Sequence, residues 1–362
     1  MFVRLFPHTP QFLIAWSVFL ACGLVTYLIQ AVRSSEKFGL RALVDRCIPF
    51  DVRTNASFHA DLKIYFIDSF TALSLAVPGI FVTGMLSLLV RRLLTLDHIS
   101  QLPVELGPFA AASCAMIMFL LAELSDYIAH FLEHKVPELW ELHKLHHAVQ
   151  ILNPFTARRL HPVSILYNGL LRGVISGVPA GLLMYLFGIT LAETLALSLV
   201  ASKIFSMASL NPLKHSHHPV GFGPFDRLLI SPHMHQIHHS RLDAHVDKNF
   251  GTNLSIFDWL FGTAYKPSPG ELPDCGIAHY STADVEHYFS LRGAYVQPMI
   301  DCCAVFLKRT RSLPHRLCRR WRHAALRLDT PALAKDRRAG TRRTRPTYNA
   351  CAPGDGPPQS AA

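Results

Sequence analysis

Histidine is the residue type that stands out: fourteen of the chain's 21 histidines lie between His130 and His245. Three groups repeat a spacing: His130-Phe-Leu-Glu-His134, His143-Lys-Leu-His146-His147 and His235-Gln-Ile-His238-His239. The first reads HxxxH and the other two HxxHH. On a helix, positions i, i+3 and i+4 share a face with Cβ atoms about 5–6 Å apart, so several imidazoles can reach a common metal pair. At a histidine frequency of about 6%, one HxxHH is expected by chance well below once in 362 residues, and this chain has two beside an HxxxH.

Imidazole nitrogen suits iron, zinc, copper and nickel, and excludes calcium and magnesium, which take oxygen. A structural zinc closes with four ligands, so eight box histidines point to two ions or to one ion with great redundancy, and two is the economical count. Soluble di-iron bundles mix Glu with Glu-x-x-His, whereas these boxes are nearly all histidine. Glu123, Asp126, Glu133 and Asp247 are the acids placed to orient rings from behind. The eight cysteines form no CxxC pair and no regular framework, so no disulfide scaffold, zinc finger or iron–sulfur cluster follows from them. No G-x-G-x-x-G opens a helix, so any electrons must come from a separate partner.

The elements that must position these residues are those of a membrane protein. Half the residues are hydrophobic, and Gln11 to Val32 contains no charge, long enough as a helix to cross a hydrocarbon core of roughly 30 Å. It is read as a first span and not as a cleaved leader, because Arg4 is a weak n-region and the apolar run exceeds an h-region. Phe66 to Val90, with Pro78-Gly79 inside, and Gly107 to Ala122, ending at Glu123 and Asp126, are the next two. Val163 to Ile189 and Leu191 to Leu210 make a hairpin turning at Gly188, and its Arg172, Glu193 and Lys203 should face protein or the active site instead of lipid. From about Pro212 to Pro267 the chain is polar, aromatic and histidine-rich, as a cap on the membrane surface would be. The expected class is therefore an all-α, multi-pass helical bundle with a histidine-rich metal-binding cap.

The formal charge of +10 belongs to the tail, since residues 305 to 362 carry fourteen Lys or Arg against three Asp. With no nucleic-acid motif beside it, a polybasic segment near anionic headgroups accounts for it, and nucleic acid is not an expected partner. Disorder is expected from about residue 330 onward. Six basic residues in the first loop against Arg91 and Arg92 in the second orient that first loop, the histidine cap and the tail to the cytoplasm. The divisions that follow are 1–104, a membrane region with two spans; 105–266, the catalytic unit with its hairpin; 267–329, a surface segment; and 330–362, a basic tail.

Over about residues 105 to 266, these motifs resemble the fatty acid hydroxylase and sterol desaturase superfamily. The likeness includes Pro137-Glu138-Leu139-Trp140, Arg159-Leu160-His161-Pro162, and the stretch from Asp247-Lys-Asn249-Phe250-Gly251 to Asp258-Trp259-Leu260-Phe261-Gly262-Thr263. The resemblance implies a non-haem di-iron centre, with zinc as a possible substitute, that hydroxylates or desaturates a lipid or sterol-like substrate with O2. Electrons would come from a ferredoxin- or cytochrome b5-type donor and its reductase. It implies that the eight box histidines are ligands and that His215 of Lys214-His215-Ser216-His217-His218 adds another; His161 and His217 are further candidates. His218, His233 and His245 are expected behind the ligands or on the surface, and Arg241 in a structural role. Desaturation is the alternative outcome on the same scaffold. A metal transporter would need ionisable ligands forming a path through the spans, and a catalytically inert metal-binding scaffold would keep the boxes without turnover.

Overall fold

A computed structural model describes residues 49–96 and 107–311, with a few isolated positions before residue 49. The expected span at 11–32 and the basic tail from 330 lie outside the described residues. Among those described there is no strand, only the isolated bridges Leu229–Leu254 and Ser240–Cys275. The helices are α1 (Phe50–Thr54), α2 (Ala56–Leu96), α3 (Pro108–Lys135), α4 (Pro137–His147), α5 (Pro162–Phe187), α6 (Leu191–Ala208), α7 (Pro232–His238), α8 (Ile256–Phe261), α9 (Thr282–Val285) and α10 (Leu291–Tyr295). Residues 297–311 are helical as well. Proline at the first turn starts α3, α4, α5 and α7, where a missing N–H costs nothing.

Among the described residues four helices, α2, α3, α5 and α6, are long and apolar enough to cross a membrane, and the chain is an integral membrane protein. α2 runs unbroken through Pro78. α3 continues past Glu123 and Asp126, which close its apolar stretch, to Lys135. At 1.5 Å per residue its 28 residues span about 42 Å, more than a hydrocarbon core of roughly 30 Å, so its last turns carry the first histidine box beyond the apolar stretch. The α5–α6 hairpin turns at Gly188, left-handed at φ 66°, and Glu193 is absorbed there in a capping box with Thr190.

α2 packs along α5, while α3 packs on both α5 and α6. Gly169, Gly173, Gly177 and Gly181, one turn apart on α5, allow this approach: a Cβ on Gly173 would stand 2.6 Å from the Gly79 carbonyl oxygen, and one on Gly181 2.6 Å from that of Ser87. Close backbones are how helices associate in lipid, which offers no hydrophobic drive between them. The Ser87 hydroxyl uses that proximity to donate to the Gly177 carbonyl at 3.0 Å. The sequence reading overlooked this stripe, though its four-residue period was legible.

The described residues from 49 to 307 belong to one compact unit. Ile64 of α2, Leu145 of α4 and Ile277, Val285, Tyr288 and Ala294 share one buried cluster. A polar core lies beside it. Arg159, wholly buried, donates to the Leu145 carbonyl at 2.8 Å, to Asp61 at 2.6 Å and to the Tyr288 carbonyl at 3.4 Å. Asp61 also accepts from Asn153 and Thr156, each at 2.7 Å. Arg159 thus ties α2 and the C-terminal segment to the helix bearing the second box.

Candidate metal centre

His130 and His134 occupy successive turns at the end of α3, His143, His146 and His147 the last turns of α4, and His235 and His238 one face of α7, with His239 one residue past its end. His215 comes from the segment between α6 and α7. These nine converge as two adjoining groups that could each hold a metal ion: His130, His134, His143, His147 and His238, and then His146, His215, His235 and His239. Within each group the ligand atoms all lie within 4.8 Å of one another. The groups meet where His147 and His239 stand 4.8 Å apart between ring centroids, and His143 and His146 5.3 Å.

The donor set fits metal ions of the kind imidazole prefers. Two nitrogens each about 2.0–2.1 Å from one ion lie roughly 2.9–3.4 Å apart at octahedral or tetrahedral angles. The Nε2 atoms of His134 and His147 are 3.1 Å apart, those of His215 and His235 3.0 Å, and those of His146 and His215 3.4 Å. The buried Nε2 atoms of His130, His143, His238 and His239 have no protein hydrogen-bond partner, the condition of a lone pair kept for another acceptor.

Behind the five-histidine group, four of the Nδ1 atoms stand beside a carbonyl or a carboxylate. His130 Nδ1 donates to the Phe250 carbonyl at 2.9 Å and His238 Nδ1 to the Lys248 carbonyl at 2.7 Å. His143 Nδ1 lies 3.0 Å from Glu133, and His134 Nδ1 3.3 Å from Asp247. Such partners fix tautomer and ring direction and raise ligand basicity. The two carbonyls are aimed by a loop whose Asp247 and Asn249 take left-handed backbone conformations, both at φ 59°. Short polar side chains tolerate that region, and Asn249 clamps it by donating to the Met234 and Tyr265 carbonyls, both at 2.9 Å. Asp258 closes the loop by accepting from the Phe250 and Gly251 amides at 2.7 and 2.8 Å. These carbonyl partners were not foreseen, because backbone acceptors leave no mark in side-chain spacing.

Burial keeps six of the rings outside α3 neutral. It holds His146, His147, His235, His238 and His239 well below the usual histidine range and brings His215 down to about 3. Neutral imidazole is the form that binds metal. Burial also brings Lys214, next to His215, down to about 7. Its Nζ donates to the Thr252 carbonyl and to Ser209.

Two of the eleven histidines singled out as ligand candidates stand outside the groups. His161 caps α5: its Nδ1 accepts from the Val163 amide at 3.2 Å and its Nε2 donates to the Tyr295 carbonyl at 3.1 Å. His217 stacks on His218 with centroids 4.0 Å apart. A position beside a box in sequence therefore did not bring either ring to the centre. His233 and His245 both bond Glu271, at 2.6 and 2.8 Å, and Arg241 pairs with Asp274 at 2.8 Å. Of the four acids expected behind the rings, Glu133 and Asp247 are there. Glu123 instead accepts from the Asn253 and Leu254 amides at 2.7 and 3.0 Å, and Asp126 pairs with Arg172, because both point between α3 and its neighbours one or more turns above the first box.

His134, His147 and His238 open onto a pocket of about 280 Å³ whose walls include Trp140, Asp247 and Tyr280. Phe250 packs on the opposite side, 5.0 Å from the His134 ring and 5.4 Å from that of His130, and shields the group from water.

Residues 115–263 match the fatty acid hydroxylase family. An ornithine lipid hydroxylase of Rhizobium tropici is 32% identical over 158 residues, 44% of this chain and 44% of that protein. The alkylglycerol monooxygenases of Danio rerio and Homo sapiens are each 26% identical, over 43% and 40% of this chain and 31% and 29% of their own lengths. The matches thus span less than half of each of these curated relatives. No solved structure matches the chain.

Proposed function

We propose, from the premise that the chain belongs to the fatty acid hydroxylase superfamily, that it is a membrane-bound lipid hydroxylase that uses O2, external electrons and two iron ions. The observation that carries this reading is the pair of adjoining all-histidine groups, with buried Nε2 atoms left for metal and, in the five-histidine group, the Nδ1 atoms of His130, His134, His143 and His238 beside a carbonyl or carboxylate. One ion would sit among His130, His134, His143, His147 and His238, and the other among His146, His215, His235 and His239.

When bound, iron would supply the O2-activating redox chemistry that amino-acid side chains lack. In the overall reaction a C–H bond becomes C–OH, one oxygen atom of O2 enters the product, and the other leaves as water after taking up two electrons and two protons. The chain's own part is positional. Glu133, Asp247 and the Lys248 and Phe250 carbonyls orient the rings, Phe250 and Trp140 dry the site, and the pocket beside His134, His147 and His238 gives access to it. The substrate is a lipid, in keeping with relatives described as an ornithine lipid hydroxylase and alkylglycerol monooxygenases, and it reaches the centre from the bilayer. Residues 105–266 act as the catalytic unit between the membrane region 1–104 and the surface segment 267–329. The basic tail 330–362 lies with the active site on the cytoplasmic face, where an electron donor with its reductase can dock.

The test is metal content by elemental analysis together with label from ¹⁸O2 in products formed from cell lipids, in wild type, His146→Ala and His239→Ala. About two irons per wild-type chain and labelled hydroxylated lipid are expected, with loss of the label and of about one iron in the variants, whose substituted residues both belong to the four-histidine group. Unlabelled product carrying a new double bond would point to desaturation, and iron-free wild-type protein purified under reducing, iron-replete conditions would overturn the proposal.

A further inference from the structure

A second cavity, of about 550 Å³, lies inside the helical bundle, walled by α2, α3, α5 and α6. It arises because α2 leans on α5 and α6 on α3, leaving a gap between α2 and α6. Its rim is greasy: Ile80 and Leu199 are 51% and 59% exposed on the bilayer side. Its polar lining runs from the buried Glu123 and Ser176 through Asp126 and Ser202 to Arg172 and Lys203, which are exposed at its mouth.

The charges inside are unequally satisfied. Glu123 is saturated by the Asn253 amide, the Asn253 side chain and the Leu254 amide at 2.7–3.0 Å. Arg172 is engaged at two points by Asp126. Lys203 has no ion-pair partner among the described residues, and the charge that acts on it, Arg158, has the same sign. A cation without a counter-charge at the mouth of a cavity with an apolar rim is placed to meet an anionic group entering from the bilayer. Ser176, only 5% exposed, also lines the cavity, and its hydroxyl has no hydrogen-bond partner. Unpartnered cation and buried hydroxyl call for the same guest, one bearing a negatively charged oxygen acceptor.

We propose that this cavity is a headgroup site for lipids bearing an anionic phosphate or carboxylate, held by Lys203 and the adjoining hydroxyls while the chain leaves between Ile80 and Leu199 into the bilayer. The floor of the cavity is Thr252 and Asn253. The Thr252 carbonyl accepts from Lys214, the neighbour of His215, so a lipid seated here lies against the histidine cap. The inference rests on the reading of the chain as a lipid hydroxylase and names the class of lipid.

The experiment measures binding of three probes with one chain length, dodecyl phosphate, dodecanoate and the monododecanoyl ester of glycerol. Full-length protein is used in an uncharged detergent, with metal content measured on the same samples. Wild type should bind at least one of the two anions roughly tenfold or more tightly than the neutral ester, the strength of a charge-assisted hydrogen bond, and the better anion identifies the headgroup source. Lys203→Gln should reduce that preference to within about twofold without weakening the ester, and Lys203→Arg should keep it. Ser202→Leu, which fills the cavity without touching the charge, should abolish binding of all three. Equal affinity for the three probes, a preference that survives Lys203→Gln, or anion binding that survives Ser202→Leu would overturn the assignment. Such a result in protein that carries its metal would leave the hydroxylase reading standing.

Discussion

Asp61→Asn is the sharpest test of how the membrane helices hold the second histidine box. Asp61 and Arg159 are both 0% exposed and meet at 2.6 Å. The substitution keeps the shape and removes the charge, leaving the guanidinium buried without its counter-ion. Two further losses compound this. Asp61 accepts from Arg159, Asn153 and Thr156 at once, and an amide that turns its NH2 toward any of these meets a donor. Breaking a buried pair from one side costs about 3–5 kcal/mol. With about 2–4 °C of melting shift per kcal/mol for a unit of this size, the apparent Tm should fall by roughly 6–20 °C. Tryptophan fluorescence of detergent-solubilised protein reads that shift directly. Because Arg159 also holds the Leu145 carbonyl, between His143 and His146, bound metal should fall before the chain unfolds. An Asp61→Asn protein that melts within about 2 °C of wild type would mean that this polar core does not support the box.

Three further outcomes follow from the same geometry. Glu133→Gln removes the carboxylate 3.0 Å from His143 and should weaken metal binding at the five-histidine group by about 10–100-fold, read by competition with a chelator. His161→Gln should leave metal content unchanged and cost only about 0.5–2 kcal/mol of stability as a lost helix cap; loss of metal in this variant would put His161 back among the ligands. Gly181→Val places a Cβ 2.6 Å from the Ser87 carbonyl oxygen and must part α2 from α5, so its Tm should drop by the equivalent of about 1–3 kcal/mol, while Gly188, which has open space, shows no such sensitivity to bulk alone.

Much of this protein was legible in its residue order. Long apolar runs mark four of the membrane helices, Gly188 marks the hairpin between two of them, and the two HxxHH boxes with the HxxxH contain eight of the nine histidines that converge. Those features are local, carried by helical periodicity and by the length a bilayer demands. Acids were harder to place from order alone. Glu133 and Glu123 lie on one helix, yet only the first faces a ring, because which side of α3 meets α4 is decided by packing.

The division of the histidines into a group of five and a group of four was decided by tertiary structure alone. His146 and His147 are sequence neighbours and go to different groups, as do His238 and His239. Consecutive residues on a helix point about 100° apart, so neighbours serve different centres only once other elements are packed around them. For the same reason His161 and His217, rich in local resemblance, fall outside both groups, and the carbonyls of Lys248 and Phe250 become partners of His238 and His130 only through the left-handed turn of their loop. Residue types and spacing determined that metal ligands are present; the packing of distant helices determined which rings share a centre.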